Sequence, residues 1–196
     1  MSDRPTKERI LDAAEQIMLE RSFHSVGLNQ ILAAVKVPKG SFYHYFESKE
    51  QFGVEMLRHY AGESLAWQRQ MLLDSSTQPD PLQRLVTFFN SVIGKLHENG
   101  GKCPCLIQKL AAEVSGFSEP MRAELAKNST AAVAVMKELL DEAVAAGALP
   151  DDLDTGAEAA LIHDLWSGAL QRATILRQVD PMRQALEVIR GRLNID

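Results

Sequence analysis

Apolar residues recur every three or four positions along nearly the whole chain, and no stretch of useful length alternates apolar with polar residues. That period belongs to helices with one buried face, so an all-α fold is expected. A first helix follows Thr6, with the stripe Ile10, Ala13, Ala14, Ile17 and Met18, and Ser22-Phe23-His24 ends it. A short second helix turns Ile31, Leu32 and Val35 inward, Lys36-Val37-Pro38 makes a tight turn, and a third short helix begins at Lys39. Two short helices joined so briefly, with a longer one behind, form a helix-turn-helix. A fourth helix, about 49–73, carries Phe52, Met56 and Tyr60 four apart. It is long enough to bridge two domains, so a boundary is expected near Leu57, dividing 1–56 from 57–196.

The second part continues in helices. After the polar break Ser75-Ser76-Thr77-Gln78, Asp80 caps a helix with Pro81 at its first position and Leu82, Leu85, Val86, Phe89, Ile93 and Leu96 buried. Asn99-Gly100-Gly101 stops it, and a short helix covers about 105–115. Ser118 opens the next, whose Ala132, Val135, Met136, Leu139, Leu140 and Ala143 face inward until Gly147 and Pro150. Two further helices are expected at about 155–178 and 181–193, the second capped by Asp180.

The densest chemistry lies at Lys39-Gly-Ser-Phe-Tyr-His-Tyr-Phe-Glu-Ser-Lys-Glu50. Phe42 and Phe46, four apart, are expected in the core. On the other face Gly40 lets the main chain approach a phosphate, and Ser41, Tyr43 and His44 can donate hydrogen bonds. Ser48-Lys49-Glu50-Gln51 is a capping-box pattern for the fourth helix. The net charge of −5 looks wrong for a nucleic-acid binder until it is divided. Residues 1–50 hold seven Lys/Arg and seven Asp/Glu, so the whole acidity belongs to the rest.

Residues 6–60 resemble the DNA-binding region of the TetR family of one-component transcriptional repressors, with the recognition helix at Lys39. The resemblance implies an N-terminal three-helix helix-turn-helix DNA-binding domain and a C-terminal helical ligand-binding and dimerisation domain. It also implies that Lys39, Gly40, Ser41, Tyr43, His44 and Tyr45 touch the major groove of double-stranded DNA, and that Lys49 holds a phosphate. Lys39, Ser41 and His44 would read bases. Gly27 stands where the second helix commonly starts with Ser or Thr, and Lys36 where the turn usually has Gly; at positive φ it would cost about 1 kcal/mol. The last two helices look like the family's dimer surface. There Gly168, Ala169 and Ala173 allow close approach, and Leu161, Leu165, Leu186, Ile189 and Leu193 supply apolar area, with the monomer's own core the alternative for any one of them and the expected place of several. A homodimer would read a near-palindromic operator, because one short helix reads too few bases.

Gly100-Gly-Lys-Cys103-Pro-Cys105-Leu-Ile107 is the most informative segment of the second part. Pro104 suits the first turn of a helix, which sets Cys105 at its positive end, and Lys102 and Lys109 flank it; both effects favour thiolate. The segment resembles the electrophile-sensing, NemR-like branch of the TetR family, where a cysteine so placed responds to quinones, reactive aldehydes or hypochlorite. Cys105, with Cys103 assisting, is the implied effector site. A structural pair of cysteines is the alternative, since cysteine often serves as a small buried hydrophobe. A metal reading joins the two thiolates to His97 but lacks a fourth ligand and the usual spacing, so no metal and no cofactor is expected. Trp166 with His163 could line a pocket, although an aromatic in mid-helix is more often core; Glu113 and Asp164 could form a buried polar pair, although such residues are more often solvated or capping.

Composition adds exclusions. Hydrophobic residues at 45% and charged ones at 24% are ordinary for a globular chain. No run approaches the roughly 18 apolar residues of a membrane span, and no signal-peptide pattern opens the chain, so a cytoplasmic location without membrane attachment is expected. Two readings keep DNA binding: release by a reactive small-molecule effector at Cys105, or by a non-covalent apolar ligand. A third, an all-helical thiol enzyme, wants a Cys-x-x-Cys pair or an assigned base and leaves Lys39–Glu50 without purpose, so no enzymatic activity is expected.

Overall fold

The computed structural model describes residues 5–195. Among them are nine helices and no strand: α1 (Thr6–Glu20), α2 (Leu28–Val35), α3 (Lys39–Tyr45), α4 (Lys49–Leu73), α5 (Pro81–Glu98), α6 (Leu106–Val114), α7 (Glu119–Ala145), α8 (Thr155–Leu176) and α9 (Asp180–Arg192). The all-α reading and the three-helix front are as expected. By packing, the chain divides into two compact units, and α4 and α7 supply residues to both.

The first unit is 1–63 together with 105–127. Its core joins Ile10, Leu11, Ala14 and Met18 of α1 and Ile31 and Leu32 of α2 to Phe42, Phe46, Phe52 and Met56. Into the same cluster go Leu106, Leu110 and Val114 of α6 and Met121 and Leu125 of α7. A division at 56/57 follows the order of the chain, whereas apolar contact draws a later segment into the front unit. Lys36 lies in the left-handed region at φ 55°, where the chain turns from α2 to α3 and Val37 N–H reaches the Leu32 carbonyl at 3.0 Å. Ser48 caps α4 by accepting from Gln51 N–H at 3.0 Å, but the reciprocal half of the box is absent. Gln51 turns its amide nitrogen to Glu55 instead, and its buried Oε1 has no partner.

The second unit is 64–104 together with 128–196. Asp80 caps α5 as expected, accepting from Leu82 and Gln83 N–H at 2.8 and 3.3 Å. Arg84, 2% exposed, donates to the carbonyls of Leu72, Gln78 and Pro79 and pairs with Glu142, so the loop before α5 is tied from within. Asp154 caps α8 through Ala157 N–H. Asp180 is not a cap: it is the first residue of α9, Val179 holds the cap position, and its carboxylate faces Arg183 at 3.4 Å. Several residues expected at a dimer surface are core: Ala173, Leu186, Ile189 and Leu193 are all buried. Leu161, Gly168, Ile175, Leu176 and Val188 remain exposed along α8 and α9, with Leu165 and Ala169 half-buried beside them.

Gly101 ends the α5 region at φ 74°, and a Cβ there would lie 2.8 Å from the backbone of Arg177, so only glycine fits. No described helix is long and apolar enough to cross a membrane.

Candidate nucleic-acid interface and thiol site

Phe42 and Phe46 anchor α3 from below, each 1% exposed and each packed on Phe52, with ring centres 5.3 and 5.1 Å away. Residues 39, 40, 43 and 44 therefore fall together on the outward face, since positions four apart share a face. Lys39, Gly40, Tyr43 and His44 are all exposed, Tyr43 by 58%. Nothing of the chain lies within 4 Å of where a Gly40 Cβ would be, and its φ is ordinary. Neither packing nor backbone strain accounts for this glycine, which leaves open room over the main chain. Ser41 and Tyr45 are half-buried, Tyr45 leaning on the core. Lys49 is exposed, yet its ammonium reaches the His24 carbonyl at 3.4 Å and stands 5.0 Å from the Phe23 ring centre. Gly27 caps α2 with help from Gln30, whose side chain accepts from Gly27 N–H at 3.3 Å.

Cys105 is the N-cap of α6, and Pro104 precedes the helix rather than forming its first turn. The thiol still stands where the unpaired N–H groups of a helix begin. Lys109 does not serve as a simple flanking charge: its ammonium donates to the carbonyls of Met18 at 2.6 Å and Arg21 at 3.0 Å, at the C-terminal end of α1. Glu113, one turn further on, accepts from Ser22 Oγ and from His24 N–H at 3.2 Å, so it pairs with the α1–α2 turn; Asp164 is exposed beside His163. Leu106, Leu110 and Val114 are fully buried between these polar ties. α6 is thus held to the helices of the first unit by one apolar face and two side chains.

The residue that sequence reasoning missed is Tyr60. Its hydroxyl accepts from Leu106 N–H, the first amide of α6, and donates to Cys105 sulfur. Burial, the charge of the sulfur and that hydrogen bond push its pKa well above the usual tyrosine value. A donor aimed at sulfur favours the thiolate, the nucleophilic form. The available signal was that Tyr60 is the one member of the Phe52-Met56-Tyr60 stripe with a polar tip. Cys103 is half-buried like Cys105. Trp166, 9% exposed, belongs to the core of the second unit with its ring 4.2 Å from that of Phe89, and His163 is half-buried with Nδ1 3.3 Å from Asp164.

Comparison with known proteins identifies the family. Residues 10–56 match the family model for bacterial regulatory proteins of the tetR family, and 81–189 match the tetracyclin repressor-like C-terminal domain. The chain belongs to the TetR family. This TetR-family chain is 34% identical over 191 residues to the HTH-type transcriptional repressor NemR of Escherichia coli K12, covering 97% of this chain and 94% of that one. It is 31% identical over 189 residues to the HTH-type transcriptional repressor DhaR of a Mycobacterium species, covering 96% and 92%. The crystal structure of E. coli NemR in its reduced form superposes with a TM-score of 0.85 at 31% identity, covering 95% of this chain and 96% of that one. The protein is accordingly a TetR-type transcriptional repressor, and its relatives are named as regulators rather than enzymes.

Proposed function

We propose that this repressor binds a near-palindromic operator as a homodimer and is released when Cys105 is alkylated by a quinone or a related electrophile in the cytoplasm. The observation that carries the reading is the Leu106–Tyr60–Cys105 chain of hydrogen bonds, at the start of a helix that belongs to the core of the DNA-binding unit. Cys105 sulfur would add to the electrophilic alkene carbon, forming an S–C bond. The alkene electron pair would move to the carbonyl oxygen, which takes up the proton lost from the thiol. The adduct must then fit beside Tyr60 and the first turn of α6. Displacing α6 disturbs Leu110 and Val114 in the core behind α1 and α2, and so favours the state that does not bind DNA. The structure of the relative NemR is named as its reduced form, which by similarity supports a redox-sensitive reading here.

In this reading Lys39, Ser41 and His44 read bases, Gly40 and Tyr43 seat the backbone, and Lys49 exchanges its long bond to His24 for a phosphate oxygen. Tyr45 supports the helix from its inner edge. The exposed apolar positions of α8 and α9, with Gly168 and Ala169 beside them, supply the dimer contact. The test is fluorescence anisotropy on DNA flanking the protein's own gene, before and after a mild quinone, with Cys105→Ser and Tyr43→Ala in parallel. Salt-dependent binding abolished by the quinone in the parent but not in Cys105→Ser is expected, with Tyr43→Ala folded and unable to bind. Release of the Cys105→Ser protein by the same quinone dose would overturn the thiol assignment.

A further inference from the structure

Three carboxylates converge on one imidazole in the first unit, at a place the DNA and thiol sites do not use. His59 Nε2 lies 3.0 Å from Asp12 Oδ1, 3.9 Å from Glu63 Oε1 and 4.0 Å from Glu15 Oε1. Asp12 and Glu15 are three apart on α1, and His59 and Glu63 are four apart on α4, so each helix presents two donors on one face. Glu15 is 7% exposed, and its Oε1 is buried with no hydrogen-bond partner.

An ion pair does not explain the group. The single Nε2 of His59 can serve one carboxylate well, and the geometry gives that place to Asp12. Glu15 and Glu63 are left facing it beyond hydrogen-bond distance, one of them inside the protein. An unpaired buried carboxylate is costly, and a nearby dication removes the cost. The ligand atoms of Asp12, His59 and Glu63 all lie within 4.8 Å of one another, and Glu15 Oε1 stands 4.0 Å from the same imidazole nitrogen; four donors held at about 2.1 Å by a tetrahedral ion stand about 3.4 Å apart, so the side chains would draw in around it. We propose that Asp12, Glu15, His59 and Glu63 form a binding site for a divalent first-row transition metal ion, zinc being the probe of choice, that ties α1 to α4. An imidazole among carboxylates suits such an ion better than magnesium or calcium, which prefer all-oxygen sites. The members stand up to 51 residues apart and make no sequence motif, which is why the sequence alone predicts no metal.

No residue of this site belongs to the thiol site, and its test removes the thiols so that they cannot contribute. Full-length Cys103→Ser/Cys105→Ser protein is titrated with zinc against a chromophoric chelator, beside the same protein carrying His59→Ala or Glu63→Ala. The Glu63 side chain is 57% exposed, so its truncation leaves the fold in place, which thermal melts in chelator verify for both variants. One zinc per chain is expected, with each substitution weakening binding by tenfold or more. No zinc held by the parent, or full affinity kept by the Glu63→Ala protein, overturns the proposal.

Discussion

Tyr60 turns a packing position into a chemical one, because only its oxygen distinguishes it from the apolar residues of its stripe. Tyr60→Phe keeps the ring and removes the hydrogen bond to Cys105, which at roughly 1 kcal/mol corresponds to a several-fold change in thiolate population. With Cys103 replaced by Ser, alkylation of Cys105 by iodoacetamide at pH 7 is therefore expected to slow about three- to tenfold. An unchanged rate would show that the hydroxyl does not act on the sulfur. Helical period alone placed Tyr60 correctly on the inner face of α4, as it placed Phe42 and Phe46 beneath α3. It could not supply the partners, which lie some 45 residues further along the chain. Glu15 is the converse case: a charge four residues after Leu11 and three before Met18, on the buried stripe itself, signals a polar cluster whose other members only the fold reveals.

At the scale of elements, starts and stops were legible wherever a local rule decides them, as with Asp80 before Pro81 and Gly147 after α7. The reading failed where distant groups compete. Pro104 stays outside α6 and Asp180 sits inside α9, and neither position is set by its nearest neighbours alone. Gly100 and Gly101 show the difference between two adjacent stops. Both have positive φ, but only Gly101 faces backbone, that of Arg177. Gly100→Ala should cost about 1 kcal/mol, whereas Gly101→Ala should cost at least twice that, compared by urea denaturation. The tie between α8 and α9 carries a pH dependence. Arg192 donates two hydrogen bonds to Glu158, at 2.8 and 2.6 Å, and holds its carboxyl below the usual range. The unfolded chain then binds the proton more readily, so this contribution is complete above the ordinary value of 4.5 and fades as pH falls through the depressed one. Glu158→Gln is expected to lower stability by roughly 1–2 kcal/mol at pH 7, with the gap to the parent closing in strongly acid solution.

The molecule as a whole is organised by burial rather than by chain order. α6 and the start of α7 come after the second unit has begun, yet their apolar residues complete the core of the first. Sequence patterning showed each of these stripes but not which core would receive them, since periodicity names a buried face and not its partner. The discontinuity bears on engineered hybrid regulators, in which the reading head of one repressor is spliced in mid-helix to the sensor of another. A head taken from this protein as residues 1–56 would arrive without its own floor, and the recipient's side chains would stand in for Leu106, Leu110, Val114, Met121 and Leu125. The melting temperature of such hybrids should follow how well those five sites are matched, and restoring the five residues should recover operator binding in a hybrid that had lost it. Interchangeability of parts in this architecture is then a property of a transplanted interior, and a splice drawn from the gene alone leaves half of it behind.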